Sequence, residues 1–238
     1  MATFAASVAH AMAHAWGRAI ARYALWTVQT AQGHVEGRTN LPTGPTIFAG
    51  WHSTNLMAMA FYHTLHRSRA AYAFVPPGLV GAAMRGWAEG SGIEPVPLPK
   101  DGASNVRVAL KHMAGALASG DDVGIPLDGP HGPAGQVRPG ALWLARLTGC
   151  PLVPMAFAAQ PAFRVPRWDR HLVPLPGARI MTVFGAPVWL ERNAEIDEPR
   201  LKTLGANLNE ATRRAWELLE AWELRRTRDR ERLPNGDG

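Results

Sequence analysis

The sequence predicts an α/β fold in which helices flank a central sheet that is mostly parallel. Short apolar runs with strand character alternate along the chain with longer segments of helical periodicity, as expected when crossover helices join parallel strands. The chain has 238 residues, of which 47% are hydrophobic, enough for one sizeable core. We therefore predict one α/β domain, residues 33–195, preceded by a helix within residues 1–32 and followed by a helix and frayed tail within residues 196–238.

The N-terminal segment predicts an amphipathic helix. One stripe carries His10, His14, Arg18 and Arg22, each four residues from the next, and the opposite face is apolar. Such a helix can lie on an anionic lipid surface or pack on its own domain, and the pattern favours both equally. The segment lacks the order of a secretory signal and the character of a membrane span. We therefore expect a cytoplasmic protein that associates peripherally with the inner face of the cell membrane.

Turn residues and apolar runs set the elements of the central domain. A Pro- and Gly-rich turn separates the first two strands, proline opens the helix at Pro77, and Gly120 ends the helix that precedes the fifth strand. Prolines mark the fourth strand as a sheet edge, and an uninterrupted apolar run marks the sixth as buried. The predicted strands are 34–37, 46–49, 71–75, 93–98, 122–127, 152–158 and 179–184. The helices between and after them are 53–67, 77–89, 104–118, 140–148 and 199–232.

Composition narrows the class of protein. The single cysteine, Cys150, excludes an internal disulfide and favours a reducing compartment. Within residues 51–180, twelve Lys and Arg stand against seven Asp and Glu, so most of the net charge of +6 lies there. The C-terminal helix is close to neutral and predicts a solvated face with internal ion pairs, so we expect no nucleic-acid partner. A basic centre suits an anionic substrate, either a phosphorylated lipid or the phosphates of an acyl carrier.

Two polar positions follow predicted strands and carry the functional prediction. His52 comes directly after strand 46–49, and Asp128 comes directly after strand 122–127. Because loops that leave the carboxyl ends of parallel strands meet at one rim, we expect both side chains there. Taken singly, His52 is also typical of a packed or capping histidine, and Asp128 of a turn-forming residue before Gly-Pro.

Several common chemistries lack their sequence signatures. The chain contains no Gly-x-Ser-x-Gly elbow, no phosphate-binding glycine loop, no dinucleotide fingerprint and no zinc-ligand spacing. We therefore expect no metal and no bound cofactor, and a mechanism centred on a histidine.

Three stretches together resemble a known family. They are Gly33-His34-Val35-Glu36-Gly37 leading to Trp51-His52-Ser53, the run 122–133 ending in Asp-Gly-Pro-His-Gly-Pro, and Gly149-Cys150-Pro151-Leu152-Val153-Pro154-Met155. This order is similar to that of the lysophospholipid acyltransferase superfamily, and more narrowly to the branch called domain of unknown function 374, some of whose members are lipid A secondary acyltransferases. The resemblance covers roughly residues 33–190, with a further echo at Trp168-Asp169-Arg170. It implies that His52 is the general base in acyl transfer from acyl-CoA or acyl carrier protein to a lipid hydroxyl.

The chain departs from the family pattern at the acidic partner of this histidine. The family places an aspartate five positions after its histidine, where this chain has Met57, and residues 53–67 contain no acid. Asp128, which matches the family's glutamate on the second loop, is the partner we predict, with Asp169 as the second candidate.

The chain departs again where the family grips phosphate. His131 stands where the family has an arginine, and an imidazole is the weaker clamp. The resemblance therefore implies that substrate is bound by His131 together with nearby arginines, while glycine N–H groups face the oxyanion of the tetrahedral intermediate. Lys100 and Asp101 fall in the region of a third family motif but lack its Arg-Gly. The predicted substrate-binding residues are Gly129, His131, Gly132, Arg138, Arg164 and Arg170, with Arg167 as a further candidate.

Three functions remain open at this point. The first is an O-acyltransferase on the cytoplasmic face of a membrane. The second is a lipid-binding protein that kept the fold and lost the chemistry, as Met57 and His131 would allow. The third is a hydrolase in which His52 activates water.

Overall fold

A computed structural model describes residues 2–65, 68–98 and 103–232. Lys100, Asp101 and the tail 233–238 lie outside the described residues. The helices within these ranges are α1 (Ala2–Thr30), α2 (Asn55–Thr64), α3 (Gly78–Gly90), α4 (Ala103–Ala118), α5 (Gly140–Thr148) and α6 (Glu198–Arg232). The strands are β1 (Gln32–Glu36), β2 (Ile47–Gly50), β3 (Ala71–Val75), β4 (Glu94–Pro97), β5 (Asp122–Pro126), β6 (Leu152–Arg164) and β7 (Leu172–Phe184).

The strands of the described residues form one seven-stranded sheet in the order β1-β7-β6-β2-β5-β3-β4. Five neighbouring strands run parallel to one another: β6, β2, β5, β3 and β4. β7 is antiparallel to β6, and β1 is parallel to β7. The predicted α/β class with a mostly parallel sheet is confirmed. The proline-containing β4 lies at one edge, as its composition predicts, because proline has no backbone N–H to donate to a neighbouring strand.

The core lies on both faces of the sheet, since side chains alternate along each strand. In β2, Ile47 and Ala49 face a cluster formed with α4, α5 and α6, and Phe48 faces a second cluster formed with α2. Burial on both faces explains why β2 is an unbroken apolar run rather than an alternating one. The result is a three-layer α/β/α arrangement whose central strands end at a common rim.

α1 packs on α3 through residues without side chains. A Cβ atom added at Gly17 would lie 1.8 Å from the Ala83 carbonyl oxygen, and one added at Gly86 would lie 2.0 Å from that of His14. Only glycine permits this approach of the two helix backbones. The other face of α1 leaves Phe4, Met12 and Trp16 exposed.

The structure extends two strands well beyond their predicted ends. β6 and β7 were predicted as 152–158 and 179–184, but each has 13 residues, and they continue past the parallel part of the sheet as an antiparallel hairpin. Prolines throughout 159–178 make this segment look like a loop in the sequence. The hairpin accommodates them because its ladder shifts register between Gln160 and Ala162, and irregular pairing tolerates proline.

Within residues 2–65, 68–98 and 103–232, no helix combines the length and the apolar character needed to cross a bilayer.

Candidate active site

The candidate site lies where β2 and β5 end side by side. Gly50 pairs with Pro126, and the Leu127 N–H continues the ladder by donating to the Gly50 carbonyl at 2.8 Å. His52 and Asp128 each stand two residues beyond this last pair. β2 lies between β5 and β6 in the sheet. The connection that leaves β2 leads to β3 on one side, and the connection that leaves β5 leads to β6 on the other, so the order of the strands reverses here. In open α/β sheets such a switch point at the carboxyl ends is the usual position of a ligand site.

One carboxylate oxygen of Asp128 fixes His52 twice. Oδ1 accepts the His52 backbone N–H at 3.1 Å and lies 2.8 Å from His52 Nδ1. The Asp128 side chain is 1% exposed and that of His52 is 18% exposed. Because a carboxylate can only accept, Nδ1 carries the shared proton and Nε2 is left with a free lone pair when the ring is neutral. The site therefore presents an oriented imidazole that can take a proton through Nε2.

Met57, five positions after His52, does not face this site. Its side chain is 0% exposed and belongs to the same core cluster as Phe48 and Phe61. His52 lies on a short 3-10 turn, His52–Thr54, before α2 begins at Asn55. The first turn of α2 thus directs Met57 into the core, and the acid at the histidine comes from the loop after the neighbouring strand β5.

The loop after β5 is held together by its own polar groups. The Arg138 N–H donates to the Leu127 carbonyl at 2.7 Å, and the Arg138 guanidinium donates to the Gly132 carbonyl. The Gly135 N–H approaches Asp128 Oδ2 at 3.5 Å. The aliphatic part of Arg138 would lie 3.1 Å from a Cβ at Gly129, where φ is +67°. Arg138, predicted to bind substrate, therefore braces this loop with at least one of its guanidinium nitrogens.

The remaining predicted binding residues lie on two separate segments. His131 is exposed at the turn between Gly129 and Gly132, and it forms no ion pair or hydrogen bond with other residues in the described part of the chain. Arg164 and Arg170 lie on the β6–β7 hairpin instead, where the Arg164 guanidinium donates to the Arg170 carbonyl at 3.2 Å. Both arginine side chains are exposed. The structure thus places Gly129, His131, Gly132 and Arg138 on one loop, and the two arginines on the hairpin.

The hairpin tip, residues 165–171, also brings residues to the site that the sequence did not assign. The Trp168 ring meets the His52 ring edge-to-face, with centroids 5.3 Å apart. Asp169, the second candidate partner of His52, is buried and lies 3.4 Å from His171 Nδ1 instead. The Trp-Asp-Arg motif indicated that this segment matters, but the motif alone could not predict that Trp168 lies against His52. That placement depends on the pairing of β6 with β7.

His171 has a perturbed pKa for reasons that lie in its surroundings. Burial lowers the pKa of His171 from its ordinary value, because desolvation disfavours the imidazolium, and the positive charges of Arg167 and His52 lower it further. The Asp169 carboxylate acts in the opposite sense without outweighing burial. Burial therefore favours the neutral form of the His171 imidazole.

A groove of about 480 Å³ between β1 and α6 is a different surface of the molecule. It is lined by His34, Met181, Trp222 and Arg225 among others, and an ion pair joins Glu36 to Arg214 in its wall. His52 and Asp128 are not part of it.

Comparisons with known proteins bear on the fold. No family model matches the chain. A protein of Rickettsia prowazekii (strain Madrid E), described as uncharacterized protein RP090, is 30% identical over 146 residues, which are 60% of this chain and 64% of that protein. The chain thus matches less than two thirds of the length of this relative.

A solved structure matches the architecture. The 1-acyl-sn-glycerophosphate (LPA) acyltransferase PlsC from Thermotoga maritima superposes with a TM-score of 0.51 and 20% identity, over 85% of this chain and 79% of that chain. At this identity the likeness establishes the architecture alone. The chain has the fold of this acyltransferase, with a histidine and a buried aspartate joined at its sheet rim.

Proposed function

We propose that this protein is an O-acyltransferase that moves a fatty acyl chain from acyl-CoA or acyl carrier protein to a hydroxyl of a phospholipid or lipid A-type acceptor. The observation that carries the proposal is the 2.8 Å contact between His52 Nδ1 and the buried Asp128 carboxylate. It lies at the rim of a fold shared with a glycerophosphate acyltransferase. The narrower assignment to the branch called domain of unknown function 374 is part of the proposal and rests on the motifs alone.

The proposed reaction uses His52 as general base. Nε2 takes the proton of the acceptor hydroxyl while its oxygen forms a bond to the thioester carbonyl carbon. The Asp128 carboxylate stabilises the imidazolium that results, as in Ser-His-Asp triads. When the tetrahedral intermediate collapses, the C–S bond breaks and the departing thiolate receives the proton from the imidazolium. The products are an ester and a free thiol, and His52 returns to its neutral form.

The proposed substrates agree with the charge around the site. Exposed His131, Arg164, Arg167 and Arg170 lie on the loop and hairpin that flank His52. Arginine suits phosphate because its donors can engage two oxygens at once, and this would compensate for the imidazole at position 131. Gly129 and Gly132 have φ of +67° and +69°, a conformation that other residues rarely adopt. The Gly129 N–H donates to the Pro126 carbonyl at 3.4 Å, so an oxyanion bound there would replace this long contact. We therefore include phosphate-bearing donors and acceptors in the proposal.

We also propose that the protein associates peripherally with an anionic membrane at the cytoplasmic face. The exposed Phe4, Met12 and Trp16 on α1 form an apolar stripe without a partner in the described residues, and Arg18 and Arg22 lie on the same helix. An amphipathic helix with these features lies in the plane of a lipid surface with its apolar side inward. Such an orientation would bring a lipid acceptor close to the enzyme without a spanning segment.

A single-site variant tests the catalytic proposal. Purified wild-type protein and the His52→Ala variant are incubated with acyl-CoA or acyl carrier protein donors and with lysophospholipid or lipid A precursor acceptors, and ester, thiol and free fatty acid are quantified. We expect ester formation to fall by about 10²–10⁴-fold in the variant, the usual contribution of a general base. The exposed His34→Ala is the matched control and should retain activity.

Each other outcome of this assay points to a different function. Release of thiol and free fatty acid without ester indicates a hydrolase. Binding of lipid without any loss of thioester indicates a binding protein. Ester formation that survives His52→Ala contradicts the proposal.

Vesicle flotation tests the membrane proposal separately. We expect the wild type to float with vesicles containing phosphatidylglycerol and to bind less well when the salt concentration is raised, because salt screens surface charge. Trp16→Glu should reduce flotation, whereas Leu224→Glu, at an exposed apolar position on α6, should not. Equal flotation of both variants would contradict this assignment.

A further inference from the structure

The tip of the β6–β7 hairpin forms a third wall of the site. The rings of Trp168 and His52 are inclined by 61° with centroids 5.3 Å apart, a favourable edge-to-face contact. The same indole also meets the loop after β5. A Cβ at Gly132 would lie 2.6 Å from Cε3 and 2.8 Å from Cζ3 of Trp168. Trp168 therefore lies against both the imidazole and the loop that supplies its acid.

The position of Trp168 is set by the hairpin rather than by the site. The Val165 N–H donates to the His171 carbonyl at 2.9 Å and closes the tip. The next residue after Trp168, Asp169, is buried with its carboxylate 3.4 Å from His171 Nδ1. His171 in turn packs edge-to-face on Trp87 of α3, with centroids 6.2 Å apart. Residues on both sides of the indole are thus anchored to the body of the domain.

We propose that Trp168 is a positioning residue that covers His52. With Nδ1 held by Asp128 and the ring packed against the indole, the imidazole is confined to one orientation and acts through Nε2. Water is also excluded from the covered side, which strengthens the interaction of the imidazole with Asp128. The covering itself follows from the contacts, whereas its effect on catalysis rests on the proposed function.

Position 132 requires glycine for two separate reasons, and the contact with Trp168 is one of them. φ at Gly132 is +69°, which disfavours any side chain, and a methyl group there would also collide with the indole. Gly135 provides a matched comparison in the same loop. Its φ is +76°, but a Cβ there would have no neighbour within 4 Å. Gly132→Ala therefore adds displacement of Trp168 to a backbone strain that both alanine variants share.

Uncovering His52 is expected to admit water as a competing acceptor. Water would give a proton to Nε2 while its oxygen bonds to the thioester carbonyl carbon, and the C–S bond would break with the thiolate taking the proton back. The products are a free fatty acid and a thiol, so the ratio of free acid to ester measures the covering. We expect this ratio to rise at least about fivefold in Trp168→Ala, since aromatic contacts and exclusion of water each contribute at this scale.

Chemical labelling measures the covering without any substrate. The full-length protein is treated with diethyl pyrocarbonate, and the modification rate of His52 is followed by peptide mass spectrometry, with His34 as the internal reference. We expect about threefold or greater acceleration at His52 in Trp168→Ala and in Gly132→Ala, a smaller change in Trp168→Phe, which keeps a ring, and none in Gly135→Ala. In the Trp168→Ala background, Gly132→Ala should add nothing, because residues that act through one contact are not additive.

The two measurements separate the failure of this inference from the failure of the proposed function. Wild-type labelling rates in Trp168→Ala and Gly132→Ala would overturn the covering of His52, whatever the activity. An unchanged ratio of free acid to ester in an active Trp168→Ala enzyme would overturn its effect on catalysis. Accelerated labelling in a protein that never consumes thioester would support the covering and contradict the acyltransferase.

Discussion

Replacing the Asp128 carboxylate by an amide is the most direct perturbation of the candidate site. Asp128→Asn preserves the size of a side chain that is 1% exposed, so it changes charge and hydrogen bonding without leaving a cavity. In the wild type, Asp128 Oδ1 accepts from both the backbone N–H and Nδ1 of His52. An asparagine oriented with its oxygen toward His52 keeps both contacts but loses the negative charge. One oriented with its NH₂ toward His52 instead forces the proton onto Nε2, where the ring can no longer act as a base.

The expected magnitude follows from these two orientations. Loss of a charge-assisted hydrogen bond to the imidazolium costs about 1.5–3 kcal/mol, or about 10–10²-fold in rate. The wrong tautomer costs more, and in the Ser-His-Asp triad the same substitution lowers kcat by about 10⁴-fold. We therefore expect kcat/KM for acyl transfer to fall by about 10–10⁴-fold in Asp128→Asn, with the smaller loss in the first orientation and the larger in the second. The Asp128→Asn, His52→Ala double variant should be no slower than His52→Ala alone, because the two residues act as one unit.

A second buried aspartate separates catalysis from stability. Asp122 begins β5, the strand that ends before Asp128, and its carboxylate accepts the Thr46 N–H and the Tyr62 hydroxyl, each at 2.8 Å. Ester formation and thermal unfolding are measured for Asp122→Asn and Asp128→Asn in parallel. Asp122→Asn should lower the Tm with kcat/KM of the folded protein retained. If Asp128→Asn keeps its activity within about fivefold, or loses it only in proportion to its unfolded fraction, the His–Asp pairing is not catalytic.

Three further predictions test other parts of the structure. Met57→Asp puts an acid five positions after His52 but buries it in the core, so it should lower the free energy of unfolding by more than about 3 kcal/mol without raising activity. Met57→Leu should cost less than about 1.5 kcal/mol. Chemical denaturation measures both, and a stable, faster Met57→Asp enzyme would refute the placement of Met57 in the core. Gly86→Ala should destabilise the protein by about 1–3 kcal/mol, because its methyl group would meet the backbone of α1. Gly115→Ala on α4, with open space around it, should stabilise the protein by about 0.5–1 kcal/mol. Equal effects of the two variants in thermal melts would contradict the close contact between α1 and α3. Burial lowers the pKa of His171, so the folded state resists protonation while the unfolded state takes up a proton below about pH 6.5. The free energy of unfolding should therefore fall as the pH drops through this range. Chemical denaturation between about pH 7 and 5 should show a smaller fall for His171→Gln than for the wild type.

Local patterns in the sequence were sufficient to predict most of the fold. The strands before His52 and Asp128 are short apolar runs bounded by glycine and proline, and such signals depend only on neighbouring residues. The shared rim followed because two parallel strands with similar ends place their loops together. The pairing of β2 with β5 was not needed for that prediction, although it is what sets the contact between His52 and Asp128.

The hairpin could not be predicted because its pattern is not local. Pro161 and Pro174 interrupt the apolar alternation, and the irregular ladder that tolerates them exists only once β6 and β7 have paired. The sequence therefore gave no signal that Trp168 would lie against His52 or that His171 would lie beside Asp169. For the same reason Asp169 looked like a candidate partner of His52, although the turn directs it to His171.

The acid from the neighbouring strand does something that an acid on the helix after His52 would not. Asp128 Oδ1 holds the His52 backbone N–H as well as its ring, so a single atom fixes both the start of the 3-10 turn and the direction of the imidazole. This arrangement depends on the register of β2 and β5, because a shift of one residue would turn Asp128 to the other face of the sheet. Met57 can then pack in the core cluster that contains Phe48 and Phe61, where a carboxylate would be buried without a partner. Because the acid follows the neighbouring strand, the geometry of the proposed base depends on the pairing of two central strands. Such strands are among the last parts of a fold of this kind to open.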